Sequence, residues 1–315
     1  MEYIILIISL IGIVFGADFL VAGSVSIAKK YRVSDFVIGA AIVGVGTSMP
    51  EFVVSFLGAL GGNADVAIGN VVGSIIFNVL GILGLTAIIF PVMVAKKNIR
   101  FELPFCIAVS ILLTILVLNF FKGVSASLSR LDGCLLILLF ATYMWYSFMR
   151  DRKGKDKDMS NVDANESLWK AVLKVVGGLV LLVTACDFFV DNAVLIAKSF
   201  GVDDAFISLT LIACGTSLPE LAASLAAAVK KNTALALGNI IGSNIFNITL
   251  ILGICSQVMP LTSSGITFVD YAVMIVAAFV PLIIGLFGRI NRVAGLFMVL
   301  CFVIYNWYLV TNQIN

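Results

Sequence analysis

Two copies of one short pattern hold the side chains best suited to chemistry, Gly46-Thr47-Ser48-Met49-Pro50-Glu51 and Gly215-Thr216-Ser217-Leu218-Pro219-Glu220. Both lie inside long apolar stretches, where a carboxylate is costly to bury and marks a functional position. A proline precedes each acid. It has no N–H and clashes with the turn before it, so the carbonyl of Gly46 or Gly215 loses its helical partner and a kink loosens that of Thr47 or Thr216. In hydrocarbon such carbonyls must be satisfied within the protein or line a cavity. Thr47 and Glu51 are four residues apart, as are Thr216 and Glu220, and on a continuous helix each pair would share a face. Carboxylates, hydroxyls and loosened backbone oxygens together form an all-oxygen set for a hard cation. The competing reading is two structural carboxyls that hydrogen-bond neighbouring helices.

A second duplicated unit runs from Gly69 to Asn78 and from Gly238 to Asn247, with the pattern Gly-Asn-x-x-Gly-Ser-x-x-Phe-Asn. Ser74 and Asn78, like Ser243 and Asn247, would present a hydroxyl and an amide on one helical face. The glycines suit close helix packing in lipid. Asn78 and Asn247 are read as functional, because a buried amide needs a partner. Asp18 and Asp187 are read as structural, and Asp35 and Asp204 as helix N-caps.

The elements that must position these groups follow from hydropathy. Of 315 residues 61% are hydrophobic and 12% charged, with no histidine. So apolar a chain is an all-α polytopic membrane protein, because many windows exceed the roughly 18 apolar residues that indicate a spanning helix. The missing histidine argues against transition-metal transport. Six scattered cysteines with no paired spacing suggest neither a disulfide framework nor a zinc site. The start, Met-Glu-Tyr, lacks a basic n-region and reads as a retained first helix.

Ten spans are expected at about 2–27, 35–60, 65–92, 101–120, 131–149, 168–197, 204–229, 233–259, 268–287 and 292–312. Adding 169 to a position in the first half finds its counterpart in the second over roughly 70 residues: Asp18-Phe19 matches Asp187-Phe188, and Gly69-Asn70 matches Gly238-Asn239. This divides the chain into a first five-helix repeat (1–149), a charged cytoplasmic linker (150–167) and a second five-helix repeat (168–315). An odd number of spans per repeat inverts the second copy. With the N-terminus outside, sixteen lysines and arginines, from Lys29 to Arg292, fall in inside loops and three (Lys122, Arg130, Lys198) in outside loops. That asymmetry places both termini outside the cell membrane.

The two duplicated patterns resemble the alpha-repeats of the calcium/cation antiporter superfamily, above all its prokaryotic sodium/calcium exchanger type, over essentially the whole chain. The resemblance implies ten helices in two inverted repeats and exchange of external Na+ for internal Ca2+ by alternating access at a midplane site. It implies that Glu51 and Glu220, with the backbone oxygens of Thr47 and Thr216, hold calcium. Gly44, Ala213, Ser48, Ser217, Ser74, Ser243, Asn78 and Asn247 would line the flanking sodium positions and the central polar site. Two bidentate carboxylates and two carbonyls supply six oxygens, within the roughly 6–8 that Ca2+ takes. Two departures stand out. Position 247 is asparagine where some relatives have aspartate, which argues against potassium co-transport, and position 75 is isoleucine where its counterpart is Asn244.

Spans two, three, seven and eight would form the core, with spans one and six sliding across it. Gly12, Gly16, Gly177 and Gly178 would permit that sliding or mark close packing. The rivals are a proton-coupled Ca2+/H+ or Na+/H+ exchanger, since buried carboxyls bind protons readily, and a cation channel. No nucleophile–base pair or cofactor fingerprint indicates an enzyme, and the expected partners are Ca2+, Na+ and membrane lipid, with no cofactor and no nucleic acid.

Overall fold

The computed structural model describes residues 2–118, 127–153, 167–199, 215–262 and 265–314. Long apolar runs with few breakers fold as helices, the form in which each backbone group finds its partner within the segment. In chain order these are α1 (Glu2–Tyr31), α2 (Asp35–Thr47), α3 (Met49–Leu60), α4 (Ala64–Ile89), α5 (Asn98–Leu118), α6 (Arg130–Lys153), α7 (Leu168–Ser199), α8 (Leu218–Val229), α9 (Thr233–Val258), α10 (Phe268–Gly285) and α11 (Arg292–Ile314). Among the described residues eight helices are long and apolar enough to cross a membrane, nine if the bent pair α2–α3 counts as one span. The expected seventh span is described only as α8, because 200–214, with Ala213, Cys214 and Asp204, lies outside the described residues.

Between the helices, two short antiparallel ladders tie distant connections together. Val92–Met93 pairs with Arg289–Ile290, and Ser127–Leu128 with Leu261–Thr262.

The helices differ sharply in how far they are enclosed. Over its apolar stretch α9 is 94% buried, whereas α11 is 11% buried. α9 can sit at the centre because its glycines let α2 approach backbone to backbone. A Cβ at Gly238 would stand 2.1 Å from the Phe36 carbonyl oxygen, and one at Gly242 would stand 2.3 Å from the Ala40 Cα. The packing reading of these two glycines therefore holds, although among the described residues a Cβ at Gly73 meets nothing within 4 Å.

α1 and α7 lie along one another through a second glycine seam. A Cβ on Gly16 would be 2.7 Å from the Leu182 nitrogen, and one on Gly178 would be 2.6 Å from the Leu20 nitrogen. The same pair of helices turns bulky side chains outward, among them Ile8, Phe15, Leu173 and Phe188.

The offset of 169 reaches into local backbone geometry. Gly62 (φ 78°) and Lys231 (φ 61°) both take the left-handed conformation. The next residues, Asn63 and Asn232, cap α4 and α9 by accepting hydrogen bonds from the Val66 and Leu235 N–H groups at 3.2 and 3.1 Å. At α2 the expected cap is corrected. Ser34, in extended conformation, accepts from the Val37 N–H at 3.5 Å, while Asp35 is the first helical residue and accepts from Asn232 Nδ2 at 2.9 Å. The cap position needs non-helical backbone, and that residue is Ser34. Asp18 is half exposed and pairs with Lys230 at 2.5 Å, a surface brace.

The seam makes a paired prediction. Gly178→Ala should lower stability by about 1–3 kcal/mol through overpacking. Gly177→Ala, exposed and with nothing within 4 Å of its Cβ, should be neutral or stabilising by up to roughly 1 kcal/mol. Thermal unfolding in detergent reads both.

Candidate cation site

Both copies of the first pattern fold as a break and restart. α2 ends at Thr47, Ser48 takes φ −82° and ψ 10°, and α3 begins at Met49. Ser217 repeats the conformation (φ −93°, ψ 9°) before α8. Each proline is therefore the second residue of a new helix, where the missing N–H costs nothing, and α3 leaves α2 at 49°. The expected interruption at the proline is present, as a break after which the proline opens a new helix. One expectation is corrected: Thr47 and Glu51 stand on different helices, so the shared-face argument does not apply. The break has its own chemical effect, because it puts Glu51 and Glu220 in the first turn of a helix. Unpaired N–H groups and the helix dipole favour a carboxylate there.

The two acids are held by each other's neighbours. Ser48 Oγ donates to Glu220 Oε1 at 2.7 Å, and Ser217 Oγ donates to Glu51 Oε1 at 2.6 Å. All four side chains have zero exposure. Ser217 Oγ also lies 3.4 Å from Ser74 Oγ, and Ser243 Oγ donates to the Gly44 carbonyl at 3.2 Å. A pair of amides sequence reasoning left out of the site anchors the restarted helices. Asn70 Nδ2 donates to the Glu51 carbonyl at 3.1 Å and to Ser55 Oγ at 2.9 Å. Asn239 Nδ2 does the same for the Glu220 carbonyl and Ser224 Oγ, at 3.2 and 2.9 Å. The 169-residue match of Asn70 to Asn239 and of Ser55 to Ser224 was the signal available for them. Thr47 Oγ1 donates to Val43 O (3.0 Å) and to Asn239 Oδ1 (3.2 Å).

Several oxygens in this enclosure have no hydrogen-bond partner among the described residues: Glu51 Oε2, Glu220 Oε2, Asn78 Oδ1, Asn247 Oδ1 and Thr216 Oγ1. Buried polar groups are nearly always paired, and an unpaired one costs about 1–3 kcal/mol. The amide nitrogens Asn244 Nδ2 and Asn247 Nδ2 are unpaired among the described residues as well, but the five oxygens, two of them carboxylate, are donors suited to a hard cation rather than to a zinc-type or thiolate-binding metal. Backbone geometry adds to this. Asn78 lies in a π-helical segment, Phe77–Leu83, and Asn247 begins another, Asn247–Ile251. Such wide turns collect at functional sites.

Of the residues singled out from the sequence, Ser48 is bonded to Glu220, Ser217 to Glu51 and Ser74, and Ser243 to Gly44. Thr47 joins the cluster through Asn239, and Asn78 bonds Asn244 at 3.0 Å. Asn247 is fully buried but makes no side-chain hydrogen bond with a described residue, Thr216 is half-buried, and Ala213 lies outside the described residues.

A sequence profile of the family described as "Sodium/calcium exchanger protein" matches residues 1–149 and 170–311. The chain belongs to this family, whose members are transporters. It is similar to the sodium/calcium exchanger MaX1 of Methanosarcina acetivorans, 32% identical over 96% of this chain and 97% of the relative. It is also similar to the inner membrane protein YrbG of Escherichia coli (strain K12), 33% identical over 88% of this chain and 86% of the relative. Among solved structures, the sodium-calcium exchanger NCX_Mj soaked with zero Na+ and Ca2+ superposes with a TM-score of 0.82 at 33% identity, covering 98% of each chain. NCX_Mj soaked with 2.5 mM Na+ and 0.1 mM Ca2+ gives 0.80 at 33% identity, covering 96% of each. The fold is thus an all-helical polytopic membrane fold like that of NCX_Mj, and the chain is a multi-pass membrane protein.

Because Asn239 holds three partners at once, Asn239→Leu should lower stability by about 2 kcal/mol, the cost of leaving buried groups unpaired. The exposed Thr142→Ala should leave the unfolding midpoint in detergent unchanged.

Proposed function

We propose that this chain is an antiporter that exchanges Na+ for Ca2+ at one enclosed site between its halves, near the membrane midplane. The observation that carries the reading is the pair of fully buried acids, Glu51 and Glu220, each bonded through one oxygen to a serine of the other half and each with its second oxygen unpaired among the described residues. Two carboxylates neutralise one divalent cation. The carbonyls of Thr47 and Thr216 complete its coordination, and Ser48, Ser217, Ser74, Ser243, Asn78, Asn247, Gly44 and Ala213 line the neighbouring sodium positions. Sodium and calcium then compete for the same carboxylates, and this competition couples their fluxes. An empty site leaves two carboxylates without a counter-charge in hydrocarbon, a state that resists crossing.

The architecture proposed around the site is ten spans in two inverted repeats, 1–149 and 168–315, joined by a cytoplasmic linker at 150–167, in the cell membrane with both termini outside. The 169-residue offset supports it, as do the matched turns at Gly62-Asn63 and Lys231-Asn232 and the positive charge of the inside loops. Alternating access would come from α1 and α7 moving together across the bent pair α2–α3, α4, α8 and α9, since the glycine seam binds the two outer helices to each other.

Calcium uptake into sodium-loaded proteoliposomes tests the reading. Wild-type uptake should require the outward sodium gradient, and Glu51→Gln should reduce it by about 100-fold or more, as expected for loss of a metal ligand. Calcium should also stabilise the wild type by about 2.7 kcal/mol at a hundred times Kd, and Glu51→Gln far less at the same concentration. Uptake driven by a pH gradient without sodium would replace this reading with a proton-coupled exchanger.

A further inference from the structure

Three amide side chains, those of Asn78, Asn244 and Asn247, have zero exposure, and one hydrogen bond joins two of them. Asn78 Nδ2 donates to Asn244 Oδ1 at 3.0 Å. That bond occupies the nitrogen end of Asn78 and leaves its Oδ1 buried without a partner among the described residues. A carboxamide has an acceptor end and a donor end of nearly the same shape. Which end meets a cation is therefore decided by whatever holds the other end: the oxygen attracts the ion and the NH2 group repels it.

Asn247 stands at the equivalent position of the second copy, and neither its Oδ1 nor its Nδ2 has a partner among the described residues. The difference traces to one position. Asn244 has as its counterpart, 169 residues earlier, Ile75, which is also fully buried and has no polar atom to offer. α4, which carries Ile75, touches the segment that begins at Asn247, and at the position equivalent to Asn244 it has no side-chain acceptor.

We propose that Asn244 is a positioning residue, one that fixes the Asn78 amide with its oxygen presented to the transported cation. Asn247, with no such partner, is the adaptable member of the pair. It can offer oxygen to a cation or its NH2 group to a carboxylate when the site is empty. The two matched amides then have different roles: Asn78 is a fixed ligand and Asn247 a swivelling one. This inference rests on the Na+/Ca2+ reading above and goes beyond it by assigning a role to a residue outside the ligand set.

A double-mutant cycle on calcium transport in proteoliposomes tests it. Asn244→Leu removes the acceptor while keeping the volume. It should raise the KM for calcium about tenfold, the scale of losing an orienting partner behind a ligand, and leave kcat within about twofold, the pattern of lost binding. Asn78→Asp carries two equivalent oxygens and needs no orientation, so adding Asn244→Leu to that background should change KM by less than about twofold. If turnover is too slow to follow, the calcium-induced rise in unfolding temperature of the same four proteins gives the cycle. If Asn244→Leu does not accumulate in the membrane, Asn244→Ala carries the same expectation. Equal KM increases in both backgrounds, or a loss of kcat at unchanged KM, would overturn the role of Asn244 while leaving exchange itself intact. Absence of sodium-driven calcium uptake in the wild type would instead overturn the exchange reading on which the role depends.

Discussion

Two carboxylates enclosed in an apolar interior are the constraint around which the rest of this structure is arranged. A buried charge has to be paired or hydrogen-bonded, and neither of the ion pairs Lys97–Asp151 and Lys230–Asp18 involves Glu51 or Glu220. The compensation is made of smaller pieces: a serine hydroxyl from the opposite half, the N-terminal dipole of a restarted helix, and an asparagine on the next helix that fixes the acid's own backbone carbonyl. Each piece demands something of the fold. The dipole needs the helix broken at Ser48 or Ser217, and the hydroxyls need the two breaks face to face. The amides need α4 and α9 close behind them, which the glycines of α9 allow on the side of α2.

Burial in the helices grades accordingly. α9 carries Asn239, Ser243, Asn244 and Asn247 and is almost wholly enclosed, while α11 carries none of these groups and is peripheral. Polar side chains in such a setting are tolerable only where neighbours surround them. The most polar helix interior is therefore also the most buried, the reverse of the arrangement in a water-soluble protein.

Much of this was legible in the residue order. Hydropathy outlined the helices closely, with 65–92 expected and Ala64–Ile89 found, and 233–259 expected and Thr233–Val258 found. The repeated pattern pointed to the two acids and their serines as a group. What was not legible is tertiary. Pro50 signalled an interruption of the apolar run from 35 to 60, but not that the helix breaks at Ser48 and restarts at Met49, where Ser48 bonds a carboxylate 172 residues away. The reciprocal bonding of Ser48 to Glu220 and of Ser217 to Glu51 also has no one-dimensional signature. The shared-face argument for Thr47 and Glu51 failed for the same reason, since it assumed a continuous helix. Asn70 and Asn239 were visible as a matched pair, but that they anchor the carbonyls of the two acids emerged only once α3 faced α4 and α8 faced α9.

The reciprocal serine–carboxylate bonds bear on how the two copies could drift apart. A change at Ser48 disturbs the acid of the second half, and a change at Ser217 disturbs that of the first, so neither copy can repair itself from within. Drift at these positions is thereby yoked, and five of the six residues in the Gly-Thr-Ser-x-Pro-Glu pattern are identical in both. Elsewhere the halves have diverged, with glycine against lysine at 62 and 231 and isoleucine against asparagine at 75 and 244, and at 244 the divergence itself created a bond to the other copy, the one from Asn78. A duplicated gene product whose halves complete each other's active groups is, in this sense, a single unit of inheritance rather than two tandem ones.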